Sequence, residues 1–367
     1  MKMKQKTICD LYQERQYLAQ TSATIGAEGQ SAEDTFLSEY LKCRNNGNKK
    51  VLYIHTPFCR SKCTYCVCHS RVGTEDEINN YTESVLAGQL LRFQKVLSQI
   101  VFDEVYFGGG TPSVISAEQW RHLFSLIPHF REIKVKSMEC SPSTITMEHI
   151  ELLEEYGFSY VSLGIQSMNQ GICRKFNRTY VNRDVIAFLS EVLRQHHLYF
   201  NFDLICYMQY GDIRDLPTFE EDLVFLMHQC KPSSIVCHQL YQSHFTLEKT
   251  RMLMALLRKK IEEYPEYECI NATLEDEDAY YDTVYQAEYR LIREKRSFRH
   301  YMWNKFPALP LLGYDVFAVG YIKNMSIKAN VGDLLYLPVK QELRRVTLNT
   351  MFDEDERRIR AMKHIED

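Results

Sequence analysis

Hydrophobic and polar positions between residues 51 and 240 follow two alternating patterns, short apolar runs and longer amphipathic stretches. The apolar runs predict strands at 51–55, 104–107, 134–139, 160–165, 199–205 and 234–238. The amphipathic stretches predict helices near 75–96, 116–127, 146–156, 182–196 and 215–229. Strands separated by helices indicate βαβ units and a parallel sheet. Six alternating strands and helices favour a partial (β/α)6 barrel in the α/β class over an open doubly wound sheet, although their spacing alone is compatible with both.

The two ends of the chain lack this alternation. Residues 1–50 are polar, with helix-like patches at 10–19 and 32–42, and we expect them to form a leader that packs on the barrel. Residues 241–367 predict a mostly helical C-terminal extension that covers the substrate. Its predicted helices are 246–263, 275–296, 338–349 and 353–364, with a loop at 307–320.

The charge and hydrophobicity of the chain limit the classes of partner that it is expected to bind. The net charge of -4 and pI near 6.3 give no reason to expect a nucleic-acid partner. No apolar run approaches the length of a membrane span, and the first residues carry no apolar signal segment. We therefore expect a cytoplasmic protein with neither a nucleic-acid nor a membrane partner.

Cysteines supply the strongest chemical signal. Of the 12 in the chain, Cys59, Cys63 and Cys66 follow the first predicted strand with the spacing C-x3-C-x2-C, and Cys68 comes two residues later. Three thiolates on one tight loop can each bind one iron of a [4Fe–4S] cluster and leave the fourth iron open. The remaining cysteines are scattered singly and are interpreted as small core residues.

Two other interpretations compete with the cluster. Structural zinc could use the same three cysteines with Cys68 or His69, but zinc modules normally divide their ligands between two separated knuckles. A redox pair would need only the C-x2-C portion. No second C-x2-C pair exists in the sequence, so the cluster is the favoured hypothesis.

Polar residues follow several predicted strands. Gly108-Gly-Gly-Thr-Pro112 follows the second, Glu139 ends the third, Gln166 follows the fourth and Asp203 lies in the fifth. Because ligands bind at the carboxyl ends of the strands in parallel barrels, these residues and the cysteine loop predict one composite site.

These motifs resemble a known family. A C-x3-C-x2-C loop after a strand resembles the radical S-adenosylmethionine (radical SAM) superfamily. The string from Tyr53 to Cys68 resembles, more narrowly, the oxygen-independent coproporphyrinogen III dehydrogenase-like family, which includes haem chaperones and radical methyltransferases. The resemblance continues through Phe107–Ser113, Glu139-x-x-Pro142, Leu163–Asn169, Asn177-Arg178 and Asn201–Ile205.

The resemblance implies a TIM-like radical SAM barrel and an oxidoreductase. Its cofactors would be a [4Fe–4S] cluster and S-adenosyl-L-methionine (SAM), cleaved reductively to a 5′-deoxyadenosyl radical. The substrate would be a tetrapyrrole or another conjugated heterocycle, and flavodoxin or ferredoxin would supply the electron. We expect a monomer.

The resemblance also assigns site residues. Cys59, Cys63 and Cys66 would bind the cluster, while the SAM on the cluster would contact Tyr53, Gly109 and Glu139. A second SAM would contact Tyr65, Gly110, Thr111, Gln166, Arg178 and Asp203. Arg178 could then pair in a bidentate manner with the carboxylate of that second molecule. No residue is assigned a catalytic role.

Some positions depart from the family pattern. Val67 stands where the dehydrogenase has glycine, Asp203–Gln209 lacks the usual Gly-Leu-Pro, and the match fades after residue 240. Oxidative decarboxylation, SAM-dependent methylation and haem delivery therefore stay open.

Overall fold

The computed structural model describes residues 23–25, 49–66, 70–206, 213–240, 259, 263–269, 286–291, 317–322, 332–337 and 342–347. The helix-like patches predicted at 10–19 and 32–42 and the helix predicted at 353–364 lie outside these residues. The helix predicted at 246–263 lies almost entirely outside them.

The described strands are numbered in chain order. They are β1 (Ala23–Ile25), β2 (Lys49–Thr56), β3 (Phe58–Cys59), β4 (Arg71–Val72), β5 (Glu104–Gly109), β6 (Val135–Cys140), β7 (Tyr160–Gln166), β8 (Tyr199–Cys206), β9 (Ser234–Gln239), β10 (Tyr267–Cys269), β11 (Gln286–Leu291), β12 (Phe317–Ile322), β13 (Gly332–Leu337) and β14 (Glu342–Thr347). The strands predicted between residues 51 and 240 are confirmed, with ends that differ by no more than two residues.

The described helices of the central region fall where amphipathic stretches predict them, except α6 (Gln170–Lys175), which was not predicted. They are α1 (Glu75–Asn80), a π-helical segment (Tyr81–Leu86), α2 (Ala87–Arg92), α3 (Gln94–Leu97), α4 (Ala117–Ser125), α5 (Met147–Glu155), α6 (Gln170–Lys175), α7 (Arg183–Gln195) and α8 (Leu216–Gln229). Ser116 caps α4 through a capping box with Gln119, because each side chain bonds the other residue's backbone N–H. Among the described helices, none is both long and apolar enough to cross a membrane.

Six strands form a parallel sheet in chain order, β2-β5-β6-β7-β8-β9. A doubly wound sheet would reverse its strand order at a switch point, and this sheet does not. Residues at the carboxyl ends of β5 to β9, together with the cysteine loop that follows β2, line one cavity, as expected when the sheet curves into a partial barrel. The predicted α/β architecture is therefore confirmed.

The core lies between the parallel sheet and its helices. Phe107 at the middle of β5 is fully buried, and its ring lies 5.1 Å from that of Trp120 and 5.3 Å from that of Phe124, both on α4. Burying one such side chain contributes roughly 1.5–3 kcal/mol. This packing fixes the strands whose ends carry the polar site residues.

The C-terminal region corrects the helical prediction at two described segments. Gln286–Leu291 (β11), predicted as helix, pairs antiparallel with β9, and Glu342–Thr347 (β14), also predicted as helix, pairs with β13. Phe317–Ile322 (β12), which overlaps the predicted loop, pairs antiparallel with β2. Both edges of the parallel sheet offer unpaired backbone groups, so pairing there overrides the weak local preference of these segments. β1 extends the same sheet by pairing with β14.

Candidate functional site

A cavity of about 280 Å³ opens at the carboxyl ends of the parallel strands. It brings together all the predicted site residues except Tyr53. These are Cys59, Cys63, Tyr65, Cys66, Gly109, Gly110, Thr111, Glu139, Gln166, Arg178 and Asp203. Residues from separate strand ends thus converge on one cavity, as the strand-end rule predicts.

Tyr53 is buried on β2 and does not line this cavity. Its hydroxyl lies 2.8 Å from Nδ1 of His55, and its ring stacks on Tyr106 with centroids 5.8 Å apart. Tyr106 in turn donates a hydrogen bond to Glu139. Tyr53 is therefore linked to the cavity through Tyr106, which contacts Glu139, and it does not line the cavity itself.

The cysteine loop is closed at its base by a small parallel pair, β3 with β4. Cys59, Cys63 and Cys66 are half-buried and form no disulfide, and the backbone N–H of Cys66 donates to the carbonyl of Cys63 at 3.1 Å. Burial raises the pKa of the Cys59 thiol, and a hydrogen bond from Thr111 opposes that effect. Cys68 and His69 lie outside the described residues.

The glycine turn after β5 packs directly against this loop. Gly109 has φ +112°, and a Cβ atom there would lie 2.6 Å from the ring of His55. A Cβ atom on Gly110 would lie 2.5 Å from the carbonyl oxygen of Phe58 and 3.0 Å from Cys59 Sγ. Only glycine permits this backbone conformation and this approach to a cysteine sulfur.

Thr111 fixes the same contact from the other side of the turn. Its backbone N–H donates to the Phe58 carbonyl at 2.8 Å, and its hydroxyl donates to Cys59 Sγ at 3.4 Å. The hydroxyl of Thr111 therefore faces a predicted cluster ligand.

Glu139 at the end of β6 is a carboxylic acid of the cavity whose pKa is raised. Burial raises its pKa to about 7, with the charges of Asp203 and Cys66 acting in the same direction and the Tyr106 hydrogen bond opposing them. Near neutral pH this side chain is balanced between a carboxylate, which only accepts hydrogen bonds, and a carboxylic acid, which donates one. An ammonium group or ribose hydroxyls would favour the carboxylate.

Gln166 ends β7 in an unusual conformation. Its φ is +68°, in the left-handed region, and the pairing of β7 with β8 is irregular between Gly164 and Gln166. The side-chain oxygen Oε1 is buried and has no hydrogen-bond partner among the described residues. Strained backbone and an unsatisfied buried acceptor are both costly, and a bound ligand could offset the second by donating a hydrogen bond.

Asp203 belongs to a polar network that sequence reasoning missed. Its Oδ2 accepts a hydrogen bond from Ser162 at 2.7 Å, and its Oδ1 accepts one from Asn201 at 2.8 Å. His238 Nε2 lies 3.2 Å from the same Oδ1, and His238 itself lines the cavity. The signal was the two-residue spacing of polar positions along β7, β8 and β9, which places these side chains on one face.

Arg178 occupies the wall between β7 and the cysteine loop. Nε donates to the Ile165 carbonyl at 3.2 Å, Nη1 to the Tyr65 hydroxyl at 3.0 Å, and Nη2 to the Gly164 carbonyl. Nη1 also lies 3.6 Å from Cys63 Sγ. These contacts occupy four of the five guanidinium N–H groups, so a bidentate pair with a second SAM carboxylate would have to replace some of them, and that pair stays a prediction.

The comparisons with known proteins agree with this geometry. Residues 53–216 match the radical SAM superfamily domain. The matched region is 164 of the 367 residues, and this part of the chain is similar to radical SAM domains. The match begins on β2, contains the cysteine loop and the strand ends from β5 to β8, and stops just inside α8. The predicted resemblance to the superfamily is confirmed.

Relatives in sequence also confirm the narrower resemblance. The chain is 29% identical to an oxygen-independent coproporphyrinogen III oxidase of Bradyrhizobium diazoefficiens over 43% of this chain and 36% of that protein. It is 30% identical to an anaerobilin synthase of Escherichia coli O157:H7 over 48% and 40%. It is 32% identical to a heme chaperone, HemW, of Buchnera aphidicola over 52% and 50%. These alignments span half or less of each relative's length.

Among solved structures, the chain is similar to coproporphyrinogen III oxidase (HemN) from Escherichia coli. The superposition has a TM-score of 0.61 and covers 90% of this chain and 80% of that chain, at 15% sequence identity. This likeness shows a shared fold.

A radical SAM domain implies a [4Fe–4S] cluster and SAM, and the residues present fit them. Three cysteine thiols line one cavity, and the Gly110 backbone leaves no room for a side chain beside Cys59. Gln166 lines the same cavity, and its buried side-chain oxygen Oε1 accepts no hydrogen bond from the described residues.

Proposed function

We propose that this chain is a radical SAM enzyme whose cluster is held by Cys59, Cys63 and Cys66. The observation that carries the proposal is the convergence of these thiols with Glu139 and Gln166 on one cavity at the strand ends. When bound, the reduced cluster and SAM supply a 5′-deoxyadenosyl radical that abstracts hydrogen from a substrate C–H bond. The protein binds SAM in one orientation and prevents competing reactions of the radical.

Each side chain in the cavity then has a proposed task. Glu139 accepts hydrogen bonds from the ammonium or ribose hydroxyls of SAM, and Gly109 and Gly110 let the backbone approach it closely. Gln166 Oε1 gains in SAM the partner that it lacks in the described chain. Asp203, fixed by Ser162, Asn201 and His238, presents a second preorganised acceptor.

The proposed substrate is a tetrapyrrole of the coproporphyrinogen type, or another conjugated heterocycle. The support comes from the names of the relatives, which include coproporphyrinogen III oxidases and an anaerobilin synthase. A flavodoxin or ferredoxin is the proposed electron donor, and a monomer the proposed state of the chain.

Two alternatives use the same cavity. A radical methyltransferase would bind a second SAM. Because Arg178 is hydrogen-bonded to Tyr65 and Gly164, that second SAM would be bound mainly by Asp203 and the Gly110–Thr111 turn. A haem chaperone would keep the cluster with little turnover, and heme chaperones are among the relatives.

Product analysis separates these functions. The iron-loaded, reduced chain is incubated anaerobically with SAM and coproporphyrinogen III, and nucleoside and porphyrin products are measured by mass spectrometry. The proposal predicts 5′-deoxyadenosine together with a dehydrogenated or decarboxylated tetrapyrrole. S-Adenosylhomocysteine would instead identify the methyltransferase, and haem binding without deoxyadenosine the chaperone.

A further inference from the structure

One short segment outside the cysteine loop lies along it residue by residue. The segment is residues 176–179, which follow α6, and we name it the clamp segment. The Phe176 carbonyl accepts a hydrogen bond from the Thr64 backbone N–H at 3.1 Å. The Asn177 side chain donates to the Lys62 carbonyl at 3.0 Å. Thr179 Oγ1 lies 3.5 Å from Ser61 Oγ. Phe176, Asn177 and Thr179 thus each contact the cysteine loop, in addition to the contacts of Arg178.

Local sequence explains why the clamp segment takes this path. Asn169 caps α6 by accepting a hydrogen bond from the Ile172 N–H at 3.0 Å. The chain turns after that short helix at Asn177, whose φ of +51° is left-handed and suits asparagine. Phe176 is buried with its ring 5.7 Å from that of Tyr65. The turn therefore presents Arg178 toward the interior.

The guanidinium group of Arg178 contacts three parts of the site, namely the end of β7, Tyr65 and Cys63. Two of its nitrogens bond the carbonyls of Gly164 and Ile165 at the end of β7. The third, Nη1, donates to Tyr65 Oη at 3.0 Å and lies 3.6 Å from Cys63 Sγ. A half-buried cation of this kind is stabilised when its N–H groups have partners, and a thiolate or sulfide is a suitable one.

We propose that Arg178 is a positioning residue that holds Cys63 in the cluster-binding conformation and donates to its sulfur when the cluster is present. The inference rests on the proposed cluster and deepens it. Hydrogen bonds to the sulfurs of an iron–sulfur cluster tune its reduction potential. A cationic donor stabilises the more negative reduced state, so Arg178 raises the potential and favours reduction of the cluster by the external electron donor.

Thr111 makes the corresponding contact on another ligand, with its hydroxyl 3.4 Å from Cys59 Sγ. The two donors come from different strand ends and approach different cysteines. The cysteine loop is therefore held from both sides by groups that also face the cluster sulfurs.

The test compares Arg178→Gln with Arg174→Gln, a matched control at an exposed position on α6. Both variants are reconstituted anaerobically, and the measurements are iron and sulfide per chain and the midpoint potential followed by electron paramagnetic resonance. Loss of an outer contact to a metal ligand weakens metal binding by roughly 10- to 100-fold. Arg178→Gln is expected to lose iron more readily and to shift the potential to more negative values, while Arg174→Gln matches the wild type.

Two further variants keep the test decisive if Arg178→Gln does not fold. Arg178→Lys keeps the charge but cannot bond two carbonyls, Tyr65 and Cys63 together, so its potential should shift in the same direction. Asn177→Gly keeps the left-handed turn and removes the contact to Lys62, and it should lose iron faster than the wild type.

The outcomes separate this inference from the proposed function. A wild-type chain that loads iron, with Arg178→Gln and Arg178→Lys at the wild-type potential and iron content, overturns the role of Arg178 alone. A wild-type chain that takes up no iron overturns both proposals.

Discussion

Tyr106 on β5 donates its hydroxyl hydrogen to Oε1 of Glu139 on the neighbouring strand β6. This contact opposes the effect of burial, which raises the pKa of Glu139 to about 7. The strength of one hydrogen bond therefore influences whether the acid in the proposed SAM site is charged at neutral pH.

The first prediction is that SAM affinity rises as the pH rises through about 7. Below that pH Glu139 is mostly protonated and offers SAM a weaker acceptor, whereas above it the carboxylate is present. Tyr106→Phe removes a contact that lowers the pKa, so the midpoint should move to higher pH. The dissociation constant of SAM, measured by calorimetry on reconstituted protein across this range, checks both statements. Glu139→Gln is the control and should show weak, pH-independent binding; a pH-independent wild type would contradict the assignment.

A second prediction concerns the glycine turn. Gly109→Ala places a Cβ atom 2.6 Å from the His55 ring at a φ of +112° and should lower the free energy of unfolding by about 1–3 kcal/mol. Gly88→Ala is the matched control, because nothing lies within 4 Å of its added Cβ in helix α2. That substitution should raise stability by about 0.5–1 kcal/mol. Denaturant unfolding of both variants gives the comparison, and equal stabilities would show that the turn is not constrained as described.

The third prediction separates the buried oxygen of Gln166 from general stability. Gln166→Leu removes an unsatisfied acceptor, so the free energy of unfolding should stay equal or rise by about 1 kcal/mol. SAM should bind about tenfold more weakly, which corresponds to the loss of roughly one hydrogen bond. Gln89→Leu removes another unsatisfied buried oxygen, on α2. It should leave SAM affinity unchanged, and a matching loss of affinity there would argue against a contact at Gln166.

A fourth prediction concerns the ligand set. Cys63→Ala should abolish the cluster, because one of three proposed ligands is lost and the donor pair with Arg178 is broken. Cys68→Ala should leave the cluster largely intact. Iron per chain after reconstitution, read with the absorption spectrum, distinguishes the two variants. Loss of iron in Cys68→Ala would mean that the ligands are assigned wrongly.

The parallel core could be predicted from the sequence for a local reason. Each strand is a short apolar run bounded by polar residues, as at Tyr160–Gln166, and each helix has a clear apolar face. Once the sheet is parallel, the strand-end rule alone brings Glu139, Gln166 and Asp203 to one edge. The cavity confirms that convergence.

What could not be predicted depends on contacts between distant segments. β11 and β14 carry residues that suit helices, and they are strands because the edges of the sheet lie beside them. The contact of Arg178 with Cys63 joins residues 115 apart in sequence, and no local pattern encodes it. His238 reaches Asp203 in the same way, across neighbouring strands.

Anaerobic reconstitution with iron and sulfide, followed by reduction in the presence of SAM, tests the central claim most directly. The account predicts about four irons per wild-type chain and release of 5′-deoxyadenosine, with both lost in Cys63→Ala. Stoichiometric zinc with no uptake of iron, or iron uptake without any deoxyadenosine, would contradict it.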